Sequence, residues 1–176
     1  MFPAKTLARR RRFGASLKAA SLTIDLSILN NSYGVRPMKM EVNPYLSFNG
    51  QCEAAFKFYQ ECFGAASPSF HKYGGSPMAD QVPAEWHDKV MHATLIIADS
   101  ALMGADAPPT HFTQPAGFAV SLSMDKPEAA ERIFQALAKG GKVQMPIQKT
   151  FWAARFGMLI DQFGIPWMVN CGEPQT

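Results

Sequence analysis

The chain has 176 residues, 47% hydrophobic and 18% charged, enough to bury one sizeable core, and no apolar run approaches the roughly 18 residues of a membrane span. Its net charge of +3 is unevenly spread: residues 1–37 hold seven Lys/Arg and one Asp, whereas ten Lys/Arg stand against thirteen Asp/Glu from Met38 onward. The folded part is therefore mildly acidic and lacks the basic face that nucleic-acid binding requires.

Residues 1–37, with Arg9-Arg10-Arg11-Arg12, several Ser and Ala and a single acid, have the composition of an organellar transit peptide. A disordered basic tail, or upstream sequence preceding a true start at Met38 or Met40, explains the same residues, and the last is favoured. The leader carries no functional weight, and residues 38–176 are read as a single domain.

Val42–Phe48 has strand character, entered through Pro44. Asn49-Gly50 closes it, with Asn49 as the expected N-cap of a helix whose apolar stripe is Ala54, Ala55, Phe58, Tyr59 and Cys62 and whose stop is Gly64. Ala65–Tyr73 is weakly strand-like and Gly74–Asp88 reads as a long loop. Lys89–Ala98 and Ala101–Asp106 follow as two strands around an Asp99-Ser100 turn.

After the linker Ala107–Pro115 the order repeats. Gly117–Ser123 alternates as a strand, Asp125 is the expected N-cap of a helix with Pro127 in its first turn, and Ala130, Ile133, Phe134 and Leu137 form its buried face before Gly140-Gly141. Lys142–Gln148, Phe156–Ile160 and Pro166–Asn170 supply three more strands. Asp161-Gln162-Phe163-Gly164 joins the last two as a hairpin, because an Asp side chain can bond its own turn backbone and Gly164 tolerates positive φ. The fold class is α+β, with two β-α-β-β-β modules over about 41–106 and 116–171.

Pro44-Tyr45-Leu46-Ser47-Phe48-Asn49-Gly50, the Phe58-Tyr59 and Phe63-Gly64 pairs, and the run from Phe151-Trp152 through Gly157-Met158-Leu159, Asp161 and Phe163-Gly164 to Pro166–Asn170 resemble the PhnB-like branch of the vicinal oxygen chelate superfamily. That superfamily includes glyoxalase I, extradiol dioxygenases and bleomycin- and fosfomycin-resistance proteins. The resemblance implies a curved mixed sheet with a concave cleft between paired modules, completed by homodimerisation. It also implies metal-ligand positions near Asn43–Pro44, near Met103, at Phe118 and near Met168. No His or carboxylate stands at any of them, and neither Phe nor Met replaces such donors for a hard or borderline cation. No metal ligands and no cofactor are therefore expected.

Other polar residues carry the remaining chemical possibilities. His92 lies on one parity of its strand with Val90 and Thr94, opposite Met91, Ala93, Leu95 and Ile97. It is a candidate general base or ligand donor, since histidine titrates near neutrality, against the plainer role of a hydrogen-bonded structural residue. Asp106 is a candidate to orient His92, or simply a turn residue opening the linker. Tyr45, Phe118, Trp152 and Trp167 are candidate walls of an apolar ligand cleft, with Trp152 expected at its border. Cys52, Cys62 and Cys171 form neither a CxxC pair nor an even set, which points to free thiols in a reducing, cytoplasmic compartment.

Some PhnB-like sequences carry the label of a demethylubiquinone methyltransferase. No glycine-rich strand-to-helix loop followed by an acidic ribose-binding position supports a nucleotide-type cofactor here. The leading expectation is a homodimeric protein that binds a small organic molecule without metal, with no nucleic-acid or membrane partner. The alternative is a metal-dependent lyase, isomerase or dioxygenase with ligands relocated among His71, His87, His92 and His111; whether the chain is an enzyme stays open.

Overall fold

A computed structural model of the protein describes residues 40–172. The expected leader, residues 1–37, lies outside the described residues. Within them, strand β1 (Tyr45–Phe48), helix α1 (Cys52–Phe63), β2 (Ser69–Lys72), β3 (Val90–Ile97) and β4 (Ser100–Asp106) make a first module. Strand β5 (Val120–Met124), helix α2 (Pro127–Leu137), β6 (Lys142–Gln148), β7 (Arg155–Ile160) and β8 (Pro166–Cys171) make a second. The sheets run β1-β4-β3-β2 and β5-β8-β7-β6, and in each the first strand pairs parallel with the last while the other pairs are antiparallel. These are the two expected β-α-β-β-β units, and the α+β class holds.

Each sheet turns one face to its helix. In β1, Leu46 and Phe48 are buried while Tyr45 and Ser47 are exposed, the two-residue alternation that a half-covered strand requires. Helix α1 buries Cys52, Ala55, Phe56, Tyr59 and Cys62; Phe56 takes the place expected of Ala54, which is exposed. Helix α2 buries Ala130, Phe134 and Leu137. Close approach is made possible by missing side chains: a Cβ on Gly104 would lie 2.8 Å from the Leu46 carbonyl oxygen and 2.9 Å from the Phe56 ring. One on Gly157 would lie 2.6 Å from the Phe134 ring.

Several local boundaries differ from expectation for identifiable reasons. Neither Asn49 nor Asp125 caps a helix. The residues at those positions are Gln51 and Lys126, and neither makes a side-chain cap bond. For α1 the acceptor comes from β4 instead, where Asp106 Oδ1 accepts from the Cys52 amide at 2.8 Å and puts negative charge where the helix dipole favours it. For α2, Pro127 in the first turn has no amide hydrogen to satisfy. The β3–β4 turn is Ala98-Asp99, with Ile97 opposite Ser100 and Ala98 at φ 50°, so Ser100 already belongs to the strand. Gly117 sits at φ 75°, which interrupts extended backbone and delays β5 to Val120. The loop after β2 carries short 3-10 turns at Tyr73–Gly75, Ala79–Gln81 and Ala84–Trp86.

Asp161, buried to 3% exposure, joins the modules. Its Oδ1 accepts from the amides of Phe163 (2.8 Å) and Ile165 (3.0 Å), closing the β7–β8 turn as its sequence suggests. Its Oδ2 accepts from Trp167 Nε1 at 2.8 Å and from the hydroxyl of Tyr59 on α1 at 2.6 Å. Around that contact Tyr59 and Phe63 pack against Trp167 (ring centroids 5.3 and 5.7 Å), and Phe58 packs against Phe163 (5.6 Å).

Replacing Asp161 by Ala strands a buried phenol and a buried indole N–H without an acceptor, and is expected to cost roughly 3–5 kcal/mol in urea unfolding. Burial, reinforced by the Asp161 charge, also pushes the Tyr59 phenol well above its ordinary range. Because the folded state then holds a proton that the unfolded chain releases near pH 10, stability is complete below that pH and falls as pH rises above it. Stability measured across pH 9–11 is expected to decline less steeply in a Tyr59→Phe variant.

Candidate functional site

Among the described residues, no other helix or strand packs on the face of each sheet turned away from its helix. On the first sheet it presents Tyr45 and Ser47 from β1, Met103 and Ala105 from β4, His92, Thr94 and Ile96 from β3, and His71 from β2. His92 is the centre of its polar part. Its Nδ1 lies 3.3 Å from the Tyr45 hydroxyl and its Nε2 3.1 Å from Thr94 Oγ1. Tyr45 spans the intervening β4, where the small Ala105 leaves room, and its ring lies 5.7 Å from the imidazole.

His71 stands directly opposite His92 on β2, with ring centroids 6.4 Å apart and the planes near parallel. Partial burial raises the Tyr45 phenol, which keeps it a protonated hydroxyl able to donate as well as accept.

Between the two sheets, β1 and the segment entering β5 bound a cleft of about 410 Å³ lined by Pro44, Tyr45, Leu46, Phe118, Ala119 and Ser121 among others. A second hollow of about 480 Å³ runs beside it between Val42, Ala98, Ala101, Leu102 and Leu122. Tyr45 and Phe118, each about half exposed, therefore wall the first cleft.

The other expected residues lie elsewhere. Trp167 touches the floor of the second hollow, but its ring is 1% exposed and its indole N–H is spent on Asp161, so it belongs to the core and not to a ligand wall. Trp152 borders neither cleft; its ring packs at 5.7 Å on Phe156, on the uncovered face of the second sheet. Asp106 does not orient His92. Its side chain points to the helix side, where Oδ2 accepts from the Val90 amide at 2.9 Å and Oδ1 caps α1, because its even parity with Leu102 and Gly104 turns it away from the open face. His87 and His111 bond in loops, to the Ala79 carbonyl and to Thr110.

Of the places that the resemblance implies for metal ligands, Pro44 and Phe118 line one cleft, while Met103 is in register with Tyr45 and Met168 with Ser121. Phenol, thioether, hydroxyl and phenyl groups are a poor donor set for a divalent ion of the usual kind. Among the described residues no three His, Cys, Asp or Glu side chains gather in a way that could hold a metal. Nor does any described helix have the length and apolarity to cross a membrane.

Thr94 and Ser121 were not singled out from sequence. Thr94 shares the parity of His92 and so could have been; Ser121 becomes visible only once β5 is aligned with β8.

The family model described as 3-demethylubiquinone-9 3-methyltransferase matches residues 40–170. Protein YjdN of Escherichia coli K12 is 38% identical over 144 residues, 77% of this chain and 98% of that protein. The crystal structure of protein PA1353 from Pseudomonas aeruginosa shares 44% identity and superposes with a TM-score of 0.70, covering 77% of this chain and all of that one. At 24% identity and a TM-score of 0.60, covering 76% and 100%, a putative 3-demethylubiquinone-9 3-methyltransferase, PhnB protein, from Bacillus cereus shares the fold.

All three cysteines are buried and unpaired. Burial, with the Asp106 charge behind it, raises the Cys52 thiol steeply, and burial with Glu61 pushes Cys62 up to about 11. Since the thiolate is the reactive form, an aromatic disulfide reagent at pH 7.5 is expected to label the native protein very slowly and to find all three thiols once denaturant is added. Rapid native labelling of Cys52 or Cys62 would contradict this environment.

Proposed function

The chain belongs to the PhnB-like family, described by its model as 3-demethylubiquinone-9 3-methyltransferase, with the glyoxalase/bleomycin resistance/dioxygenase fold, and from that premise we propose that it binds a small organic molecule without the superfamily's usual metal. The observation that carries this reading is the Tyr45–His92–Thr94 network on an uncovered sheet face beside the Phe118 cleft. Aromatic walls supply contact area, and a few fixed polar atoms supply orientation, the usual division of labour in a ligand site. Both imidazole nitrogens of His92 are held by hydroxyls, so the ring is positioned before a ligand arrives, and either hydroxyl can exchange its partner for a ligand atom.

The metal-independent form of the proposal rests on donor chemistry. At the places that the superfamily resemblance implies, the chain offers Asn43–Pro44, Met103, Phe118 and Met168, none of them a His or a carboxylate. A methyl-transfer function in the sense of the family's description needs a nucleotide-type cofactor. The two strand-to-helix connections, Asn49-Gly50-Gln51 and Asp125-Lys126, hold one glycine between them, and the Gly50 carbonyl is taken by Lys89 Nζ at 3.1 Å. These residues do not fit such a cofactor.

A homodimer in a cytoplasmic setting completes the proposal. The superfamily resemblance supports this, since it implies a cleft completed by pairing two copies of one chain. A second reading is favoured by one feature, the cross-strand pair His71 and His92. It would make the chain a metal-dependent lyase, isomerase or dioxygenase with relocated ligands.

Two measurements separate these readings. Screening small aromatic compounds by ligand-observed NMR, in chelator-treated buffer, is expected to find saturable binding that weakens about tenfold in Tyr45→Ala and His92→Ala variants. Undiminished binding in both would remove this site. Metal analysis of chain expressed from Met38 without a histidine tag is expected to find less than about a tenth of an equivalent of Mn, Fe, Ni, Cu or Zn; a dialysis-resistant equivalent lost in His71→Ala would establish the second reading.

A further inference from the structure

Asn49-Gly50 is the one Asn-Gly pair in the chain, and neither residue belongs to the site described above. The pair joins β1 to α1, where residue type makes Asn49 a helix cap, yet the acceptor at that end of α1 is Asp106 Oδ1. Gly50 is held through its carbonyl, which accepts from Lys89 Nζ at 3.1 Å. Among the described residues no hydrogen bond engages the exposed Asn49 side chain or the Gly50 amide N–H.

An asparagine left unengaged in front of a glycine has an intramolecular reaction open to it. The Gly50 nitrogen, on losing its proton, can attack Asn49 Cγ and close a five-membered ring, and the short tether keeps the two atoms in reach of one another. A Cβ on the second residue hinders that approach and narrows the backbone shapes that the ring needs. Gly50 has none and stands at φ 79°. Lys89 favours the same step: a Cβ built on Gly50 would lie 3.1 Å from its Nζ, so a positive charge stands beside the residue whose nitrogen turns anionic.

We infer that Asn49 is a modification site, which in the folded protein loses ammonia spontaneously and is converted by water to aspartate and isoaspartate. The bond from the Gly50 nitrogen to Cγ forms as the Cγ–Nδ2 bond breaks, and the side-chain nitrogen leaves as ammonia with the proton that Gly50 gave up. The resulting succinimide takes up one water. Opening at Cγ gives Asp at this position; opening at the backbone carbonyl gives isoaspartate, whose main chain runs through Cβ and Cγ.

Isoaspartate adds one main-chain atom to a connection that is pinned at both ends. On one side the Phe48 carbonyl accepts from the Ala107 amide at 2.8 Å, and on the other Asp106 holds the Cys52 amide. The extra atom therefore loosens the start of α1 and the end of β1, the strand that carries Tyr45. Ageing at one exposed amide thus reaches the first module.

The test keeps the full chain folded at neutral pH for several weeks, beside Asn49→Gln and Lys89→Met variants. Peptide mass spectrometry reads amide loss, and labelling by an isoaspartyl methyltransferase reads the isomer. Conversion is expected at least about tenfold faster at Asn49 than at Asn170, which a residue with a Cβ follows, and not at Asn43, since Pro44 has no amide hydrogen to lose. Lys89→Met is expected to slow it about fivefold. The aged wild-type chain is expected to melt about 3 °C or more below the fresh one, and aged Asn49→Gln to keep its melting temperature.

An Asn49 that remains an amide in the folded chain overturns the inference, and its conversion in urea alone would show that the fold shields it. Equal conversion at Asn170 overturns it as well. A rate unchanged or raised in Lys89→Met overturns the part given to Lys89, and an aged chain that melts like the fresh one overturns the effect on the first module.

Discussion

Four hydrogen bonds to one buried carboxylate hold this molecule in its arrangement. Asp161 takes two of them from its own turn and one from Trp167, which fixes the β7–β8 hairpin, and the fourth from Tyr59, which fixes α1 of the other module against that hairpin. A charge so deeply buried is tolerable only with its lone pairs satisfied. Asp106 plays a related part inside the first module, where one carboxylate holds the start of α1 and the start of β3 together. Both aspartates work on the helix side of the sheets, which leaves the opposite faces without structural polar duties.

That division is what gives the site its character. On the helix side, polar atoms are few and fully engaged, and glycines at 104 and 157 admit the Phe56 and Phe134 rings at contact distance. On the other side, the two sheets differ: hydroxyls and imidazoles gather on the first, thioethers and one amide on the second. A molecule lying across both would meet a polar end and an apolar end.

Much of this was legible from residue order because the deciding forces were local. Two-residue alternation set the faces of β1, β4 and β8, the apolar stripe with Gly64 at its end set α1, and Asp161 with Gly164 set the last turn. Parity grouped His92 with Thr94, as found, but also with Val90, which is buried on the helix side because the β2–β3 register shifts between His71 and Lys72. What escaped depends on groups distant in sequence. Asn49 and Asp125 are good capping residues by type, yet α1 is capped by Asp106, 54 residues away, and parity of that same aspartate carries it away from His92. Trp167 is as suitable a cleft wall as Phe118 by composition, and only its bond to Asp161 shows it to be core. The Tyr45–His92 contact crosses an intervening strand and has no signature in either segment.

The bond between Tyr59 and Asp161 spans 102 residues, and this separation has a consequence during synthesis. At the usual elongation rates of about 5–20 residues per second, the ribosome needs roughly 5 to 20 seconds to pass from one partner to the other. The first module has all its strands once residue 106 has emerged, but Tyr59 and Phe63 of its helix then face solvent with nothing to cover them until the final hairpin arrives. The nascent chain thus carries a sticky aromatic surface through most of the second half of its translation, and its yield in a cell depends on how well chaperones shield that surface during the wait.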